Sequence, residues 1–329
     1  MADYINIYGQ DILAVASDPA NPTQGQIWYN TTSNTLKGGG VTTVGSWATG
    51  GNMGTARQEL AGAGTQTAGL AISGTLTPTA NVQNATEEYN GTSWTSGGNV
   101  ATARRQLAGA GTQTAGLAFG GFTTTNLNVT EEYDGAAWTG GGNLGTTRSD
   151  LAGAGTQTAA LGFGGNTPPV TGVTEEYNGA TWSPSNSMNT ARRALAGCGT
   201  QTAGLAFGGS VNPPIVTATE EYDGTSWTSS NPLNTARERL AGAGTQTVAL
   251  AFGGGTATAP TGATEEYNGT SWTSSPVSMS TARKALGGAG TQASALAFGG
   301  DTLPGLAVTG ATEEWTGAGS PLTVTITAS

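Results

Sequence analysis

Apolar residues along this chain occur in short runs that Gly, Thr, Asn and Pro interrupt. Within residues 102–138, Leu117 and Phe119 flank Ala118, so their side chains share one face of an extended segment. In the next run, Glu131 and Tyr133 alternate with polar neighbours in the same way. Alternation over a few residues, bounded by turn residues, predicts short strands and no long helix.

The pattern in residues 102–138 recurs along most of the chain. Each copy has an Arg, then Gly-Thr-Gln, a run of small residues ending in Gly-Gly (Ser-Gly in the first copy), and Thr-Glu-Glu-aromatic. The arginines are 47, 44, 44, 45 and 46 residues apart, and periods of this length are typical of repeat folds. The six arginines that head the copies are Arg57, Arg104, Arg148, Arg192, Arg237 and Arg283.

Four strands are predicted in the copy at 102–138: residues 107–112, 116–120, 129–133 and a strand around Trp138, here called a, b, c and d. Thr-Gln-Thr joins a to b, and Asp-Gly, a preferred hairpin turn, joins c to d. Four antiparallel strands in six copies predict an all-β, six-bladed β-propeller. The order Arg, small strand, Gly-Gly, Glu-aromatic, Asp/Asn-Gly, Trp resembles the kelch repeat over residues 47–315. We therefore expect a propeller over residues 41–329 and a separate N-terminal segment over residues 1–40.

Closure of the ring requires a strand from one end of the chain. The last copy ends at Trp315, which occupies the Tyr position, and no further Trp follows it. Trp47, conversely, has no Glu-Glu-Tyr before it. The strand around Trp47 is therefore predicted to complete blade six. The alternating segment 322–329 is the competing candidate, and one of the two would then be an added edge strand.

Composition supports this fold class and excludes several functions. Gly accounts for 55 of 329 residues and only 10% are charged, which disfavours helices. The net charge of −10 argues against nucleic acid as a partner. The absence of His excludes Ser-His-Asp catalysis and ordinary His-containing zinc or copper sites, so we expect no cofactor. No apolar stretch has transmembrane length and no secretory signal is present, which argues against membrane insertion.

Most charges belong to the repeat. Twelve of the 14 Glu lie in doublets, which could form a carboxylate ring for calcium or could pair with the repeated arginines. We favour pairing, with one Glu per blade bonded to Arg and the other solvated. The repeated Phe, Tyr and Trp residues are expected to pack between blades. The predicted acidic partners of the six arginines are Glu88, Glu132, Glu176, Glu221, Glu266 and Glu314.

The b–c loops vary in sequence, whereas the a–b and c–d turns are nearly uniform. In a propeller, the b–c and d–a connections lie on one face, which makes that face the expected site of recognition. The candidate recognition residues are Thr79, Asn81, Phe122, Asn126, Asn166, Pro168, Asn212, Pro214, Thr258, Pro260, Asp301 and Pro304.

The N-terminal segment suggests a setting for the protein. Residues 25–37, GQIWYNTTSNTLK, are predicted to form a hairpin and resemble a short module of bacteriophage tail and tail-fibre proteins. The repeat, with Glu-Glu-Tyr-Asn-Gly-Thr-Ser-Trp, likewise resembles kelch-like virion proteins of marine phages, including cyanophages. The resemblance implies a virion protein, assembled in the host cytoplasm in several copies per particle, whose N-terminus docks to other virion proteins. The candidate docking residues are Tyr4, Ile7, Tyr8, Trp28 and Tyr29.

Three functions remain open. The favoured one is a non-enzymatic tail or fibre component whose loops bind a host surface component such as a polysaccharide. The second is a capsid decoration or connector protein without a receptor role. The third is a glycan-degrading enzyme, which is disfavoured because no unique acid pair stands out. Outside the doublets the only Glu residues are Glu59 and Glu238, and the Asp223-Gly-Thr-Ser-Trp segment resembles a sialidase Asp box but is one residue short.

Overall fold

A computed structural model describes residues 12–20, 22, 24–41, 44–77, 81–302, 307–319 and 321–326. Two compact units are present: residues 46–316, and residues up to 45 together with those from 317 onward. The ordered elements among the described residues are strands, and none of these residues is helical. No segment of the described chain forms a helix long and apolar enough to cross a membrane.

The larger unit contains six four-stranded antiparallel sheets, here called repeat sheets 1 to 6, with propeller-like repetition. Their strands lie in the order a-b-c-d within each sheet. Sheets 1 and 2 are β5 (Ala61–Gly64), β6 (Gly69–Ile72), β7 (Thr86–Tyr89) and β8 (Trp94–Ser96), then β9 (Ala108–Thr112), β10 (Ala115–Phe119), β11 (Thr130–Tyr133) and β12 (Trp138–Gly140). Sheets 3 and 4 are β13 (Ala152–Thr156), β14 (Ala159–Phe163), β15 (Thr174–Tyr177) and β16 (Trp182–Ser185), then β17 (Ala196–Thr200), β18 (Ala203–Phe207), β19 (Thr219–Tyr222) and β20 (Trp227–Ser230). Sheets 5 and 6 are β21 (Ala241–Gly244), β22 (Ala249–Phe252), β23 (Thr264–Tyr267) and β24 (Trp272–Ser274), then β25 (Gly287–Gly290), β26 (Ser294–Phe298), β27 (Thr312–Thr316) and β4 (Ser46–Thr49).

The predicted strands and turns are confirmed to within about one residue at each end. The c–d turn is closed by its Asn or Asp, as in Asp134, whose Oδ1 accepts hydrogen bonds from Ala136 N (2.8 Å) and Ala137 N (2.7 Å). Asp223 accepts from Thr225 N and Ser226 N in the same way. The segment that resembled an Asp box is therefore the ordinary c–d turn of repeat sheet 4.

The strand around Trp47 completes repeat sheet 6, as predicted. β4 pairs with β27, and Trp47 lies opposite Trp315. The first strands of consecutive sheets contact one another in order, and β25 of sheet 6 contacts β5 of sheet 1. Strands from both ends of this unit therefore lie in one sheet.

Gln of the Gly-Thr-Gln motif links each sheet to the preceding one. Gln113 Nε2 donates to Gly69 O (3.0 Å) and Tyr89 O (2.7 Å), both in repeat sheet 1. Gln66 makes the same two bonds from sheet 1 to sheet 6. The other members of the series are Gln157, Gln201, Gln246 and Gln292.

The aromatic residues fill the junctions between sheets, as predicted. Trp182 of sheet 3 packs against Phe119 of sheet 2, with ring centroids 4.7 Å apart, and donates to Thr130 Oγ1 at 2.9 Å. The Phe side chain of every strand b that carries one is fully buried, and so are the Tyr residues of strand c. Burying an aromatic side chain this completely stabilises a fold by several kcal/mol, about 3–5 for Phe or Trp truncation.

The predicted Arg–Glu pairs are wrong by one residue. Arg104 Nη1 lies 2.6 Å from Glu131 Oε1, whereas Glu132 accepts the Tyr177 hydroxyl of the next sheet. The cause is strand alternation, because Glu131 faces the junction that contains Arg104 and Glu132 faces the opposite junction. In every sheet the arginine partner is the first Glu of the doublet: Glu87, Glu131, Glu175, Glu220, Glu265 and Glu313.

The second Glu of the doublet is not simply solvated. In five cases its carboxylate accepts a hydrogen bond from the Tyr hydroxyl of the following sheet, and burial together with this bond raises the Tyr pKa to about 12. Glu266 is the exception, because Trp315 replaces the Tyr that would face it. The five are Glu314, Glu88, Glu132, Glu176 and Glu221.

The smaller unit is a four-stranded sheet in the order β1 (Leu13–Val15), β2 (Ile27–Asn30), β3 (Thr35–Val41), β28 (Pro321–Thr325). The predicted hairpin at 25–37 is confirmed by the antiparallel pairing of β2 and β3. The C-terminal strand β28 pairs with β3, so it belongs to this sheet and not to the unit formed by the repeats. The boundaries expected from sequence, 1–40 and 41–329, thus differ from the observed division at both ends.

Candidate functional site

The b–c loops and the segments that follow the buried arginines lie together at one end of the sheets. Phe122 in a b–c loop exchanges backbone hydrogen bonds with Arg105 (2.8 and 3.1 Å), and the other five sheets have the corresponding bridge. We call this surface the loop face. It consists of residues 57–60 and their five counterparts, together with the b–c loops at 73–77 and 81–85, 120–129, 164–173, 208–218, 253–263, 299–302 and 307–311.

Six residues at the centre of the loop face form a closed cycle of backbone hydrogen bonds. Each N–H donates to the carbonyl of its counterpart in the preceding sheet, at 2.7–2.9 Å, and Glu59 N donates to Ala285 O. All six have left-handed backbone conformation, with φ between 52 and 56°, although none is Gly. These axial residues are Glu59, Gln106, Asp150, Ala194, Arg239 and Ala285.

The side chains of the axial residues do not follow the repeat. Glu59 accepts hydrogen bonds from Arg105 Nη1 (2.8 Å) and from Arg239 Nη1, and Arg193 Nη1 lies 3.7 Å from Asp150 Oδ2. Burial raises the pKa of the Asp150 carboxyl, an effect that the charges of Arg239 and Arg193 oppose. The axial cavity measures about 80 Å³, far below the roughly 300–1,000 Å³ of ordinary small-molecule sites.

Basic residues outside the structural pairs concentrate on the loop face. Of the 11 Lys and Arg, six are the buried arginines, and only Lys37 among the rest lies outside the repeats. The remaining four each follow a buried Arg by one or two residues. They are Arg105, Arg193, Arg239 and Lys284.

Two clefts on the loop face are formed by described residues alone, and the larger of these lies between the b–c loops of sheets 2 and 3 and measures about 370 Å³. Asn126 Nδ2 donates to Asn166 O at 2.8 Å, which ties the two loops together. The guanidinium of Arg105 lies 5.3 Å from the centre of the Phe122 ring, within the range of a cation–π contact. The cleft is lined by Arg105, Gln106, Phe122, Thr125, Asn126, Ser149, Asp150, Asn166, Pro168 and Arg193.

The smaller cleft has a volume of about 290 Å³ and a different lining. It is formed mainly by the b–c loop of sheet 5, residues 255–260, with Ile215 from the loop of sheet 4. Glu238 and Lys284 contribute one charge of each sign. The two clefts therefore present different chemistry, although they are built on the same repeat.

The structure brings together six of the predicted recognition residues. Phe122, Asn126, Asn166 and Pro168 line the larger cleft, and Thr258 and Pro260 line the smaller one. Asn81, Asn212 and Pro214 are exposed on the loop face outside both clefts. Asp301 is only 3% exposed and bridges to Lys284 through its backbone, so its selection as a recognition residue is wrong. Thr79 and Pro304 lie outside the described residues.

Of the five candidate docking residues, Trp28 and Tyr29 are among the residues that the structure describes. Trp28 is fully buried and donates to Asp18 Oδ1 at 3.0 Å, so it supports its own sheet and is unavailable to a partner. Tyr29 is exposed, next to the exposed Ile27. Tyr4, Ile7 and Tyr8 lie outside the described residues.

The residues that follow each buried Arg were not predicted from the sequence to line a cleft on the loop face. Arg105, Ser149 and Arg193 line the larger cleft, and Gln106 and Asp150 belong to both this cleft and the axial cavity. The available signal was that these two positions differ between copies inside an otherwise uniform segment. Within the described part of the chain, no group of three or more Cys, Asp or Glu is arranged to hold a metal ion.

Comparison with known proteins identifies the fold and no relative in sequence. No protein-family model matches the chain, and no curated protein matches it. A solved structure described as "Structure of YjhT" superposes with a TM-score of 0.68 at 13% sequence identity, over 79% of this chain and 95% of that one. At this identity the similarity establishes the fold alone.

Proposed function

We propose that the chain is a non-enzymatic binding protein, a six-bladed kelch-like propeller whose loop face binds a saccharide on a host surface. The ring of six is supported by the cycle of backbone hydrogen bonds through the axial residues. The Gln66 bonds from sheet 1 to sheet 6, together with the Tyr89–Glu314 contact, support closure at the junction between the last and first repeats.

The proposed binding role is supported mainly by one observation: the sequences of the repeats differ most at the loop face. At the opposite end of the sheets, the a–b and c–d turns repeat the same hydrogen bonds from sheet to sheet, for example at Asn90 and Asn178. On the loop face, the same scaffold carries two clefts of different size and lining. Saccharide sites of this kind combine polar side chains with an aromatic surface, which Asn126, Asn166 and Phe122 provide.

A virion is the setting that we propose, on the strength of the resemblance of residues 25–37 and of the repeat to phage tail proteins. The exposed Ile27 and Tyr29 of the smaller sheet are apolar groups that a neighbouring virion protein could cover. In this arrangement the smaller sheet anchors the protein, in several copies per particle, and the loop face meets the host.

Glycan-array binding tests the proposed recognition role. Replacing loop 166–171 or loop 211–216 with the loop of sheet 5 is expected to abolish or redirect binding. The matched control replaces the c–d turn 178–181 with the turn 268–271, which changes the opposite end of the sheet and should leave binding intact. Binding that survives both loop replacements, or that the turn replacement abolishes equally, would refute the assignment of recognition to the loop face.

Two further measurements separate the alternatives. Imaging of the intact particle with this protein labelled should place it in the tail or fibre, and a regular position on the capsid lattice would support a decoration protein instead. Reducing-sugar release from host polysaccharide would support an enzyme. The only acids at the centre of the loop face, Glu59 and Asp150, lie beside arginines in the small axial cavity, which disfavours hydrolysis there.

A further inference from the structure

The larger cleft lies where one position of the repeat carries a small residue. The residue directly after each buried Arg begins the bridge to the b–c loop, and in sheet 3 this residue is Ser149. Its neighbours in the ring are two arginines, Arg105 from sheet 2 and Arg193 from sheet 4, and both line the cleft. The full series is Gln58, Arg105, Ser149, Arg193, Glu238 and Lys284, in which Ser149 is the shortest side chain.

Arg193 enters the cleft with unused hydrogen-bonding capacity. Its Nε is buried and has no hydrogen-bond partner, as is also true of Nε in the six buried arginines, and among the described residues its nearest acid is Asp150, whose Oδ2 lies 3.7 Å from Nη1. That distance exceeds a normal hydrogen bond. An anionic acceptor in the cleft would give the guanidinium a charge-assisted hydrogen bond. Arg193 is therefore a charged group of this cleft that no described acid holds by a hydrogen bond of normal length.

Arg105 contributes differently, because its guanidinium is already held. Glu59 fixes Nη1 at 2.8 Å, and the Phe122 ring lies beneath the guanidinium at 5.3 Å. Arg105 thus adds positive charge and a rigid wall, and Phe122 adds an apolar surface of the kind that sugar rings pack against. Asn126 and Asn166, joined by a hydrogen bond, close the outer side.

We propose that this cleft binds a saccharide bearing a carboxylate, with Arg193 as the group that receives the carboxylate. The proposal rests on the proposed saccharide-binding function and names its ligand class. A neutral sugar would leave the Arg193 donors without a charged acceptor, and an inorganic anion would leave Phe122 and the two Asn side chains without contacts. The cleft volume of about 370 Å³ is in the range of sites for one or two sugar rings.

Calorimetric titration of the full chain with trigalacturonate, maltotriose and inorganic phosphate tests the proposal. Trigalacturonate is expected to bind, with affinity that falls as salt is raised, and the other two probes to bind at least about tenfold more weakly. Arg193→Gln is expected to weaken trigalacturonate binding by about tenfold or more, and Arg193→Lys, which retains the charge, by less.

Two variants distinguish a local site from a general charge effect. Ser149→Gln introduces the residue that repeat sheet 1 carries at Gln58, so the fold accepts it, and it should abolish binding by filling the cleft. Lys284→Gln removes one positive charge at the same repeat position beside the other cleft and should change affinity by less than about twofold. Thermal melting of each variant checks that the fold is retained.

Each other outcome contradicts the proposal. Equal binding of maltotriose or phosphate would refute the ligand class, and equal losses for Lys284→Gln and Arg193→Gln would refute the location. If trigalacturonate fails to bind while the glycan array shows loop-dependent binding of neutral glycans, this inference fails and the proposed function stands. If no glycan binds the loop face, both fail.

Discussion

The adjacent residues Glu131 and Glu132 allow a matched test of how the repeats are held together. Glu131 pairs with Arg104, whose side chain has no exposed surface, and also accepts hydrogen bonds from Ala101 N (2.6 Å) and Thr102 N (3.3 Å). Glu131→Gln leaves a buried guanidinium without its counter-charge, which is expected to cost about 3–5 kcal/mol of unfolding free energy. Glu132→Gln weakens one Tyr177 hydrogen bond at a half-buried position and is expected to cost about 1 kcal/mol.

Urea unfolding followed by tryptophan fluorescence measures both costs, since every tryptophan except Trp28 lies at a junction between repeat sheets. A double-mutant cycle of Arg104→Met and Glu131→Gln should show the double variant at least about 2 kcal/mol more stable than the sum of the single effects predicts. The same cycle with Glu132→Gln should be close to additive. Additivity in the first cycle, or a Glu132→Gln cost as large as that of Glu131→Gln, would refute the assignment of the pairs.

Three further predictions follow from individual contacts. Desolvation raises the pKa of Glu266, which lacks a Tyr partner, so ionisation of this carboxyl lowers the stability of the folded protein as the pH rises. In thermal melting at pH 7, Glu266→Gln should therefore not lower the melting temperature, whereas Glu221→Gln, which weakens the bond from Tyr267, should lower it. Gln113→Ala removes two hydrogen bonds between sheets and should cost about 1–3 kcal/mol in urea unfolding, with a smaller effect contradicting its role as a link. Burial raises the pKa of the Cys198 thiol to about 12. The thiol should therefore react with Ellman's reagent at pH 8 only after the protein is unfolded. Rapid reaction of the folded protein would contradict the burial of this side chain.

The sequence predicted the strands well because the repeat states the same local pattern six times. The c–d turn, for instance, carries an Asn or Asp followed by Gly in five copies, and the side chain closes the turn with two backbone hydrogen bonds each time. The completion of sheet 6 by the strand at Trp47 was also predictable, because a missing Trp at one end of the chain matched a surplus Trp at the other.

The Glu residue that pairs with each buried Arg could not be predicted from the sequence pattern alone. Alternation along strand c already placed Glu131 and Glu132 on opposite faces, but it did not say which face contains Arg104. That depends on the path of the chain, since the segment between strand d of one sheet and strand a of the next lies in the junction that Glu131 and Tyr133 face. The partner of the C-terminal strand stayed open for a related reason, because alternation in residues 322–329 predicts a strand but not its pairing with β3.

Within each repeat, the buried Arg belongs to the repeated packing between sheets, whereas the two residues that follow it lie on the loop face. The buried Arg recurs in all six sheets, where each guanidinium pairs with the first Glu of the doublet and donates to one or more backbone carbonyl groups. The two residues that follow it have no such constraint, because their backbone forms the bridge and the axial cycle whatever side chain they carry. Those two positions can therefore differ around the axis without loss of the fold. Ser149, between Arg105 and Arg193, is one of these variable residues in the lining of the larger cleft, and the specificity of the proposed saccharide site should be sought there.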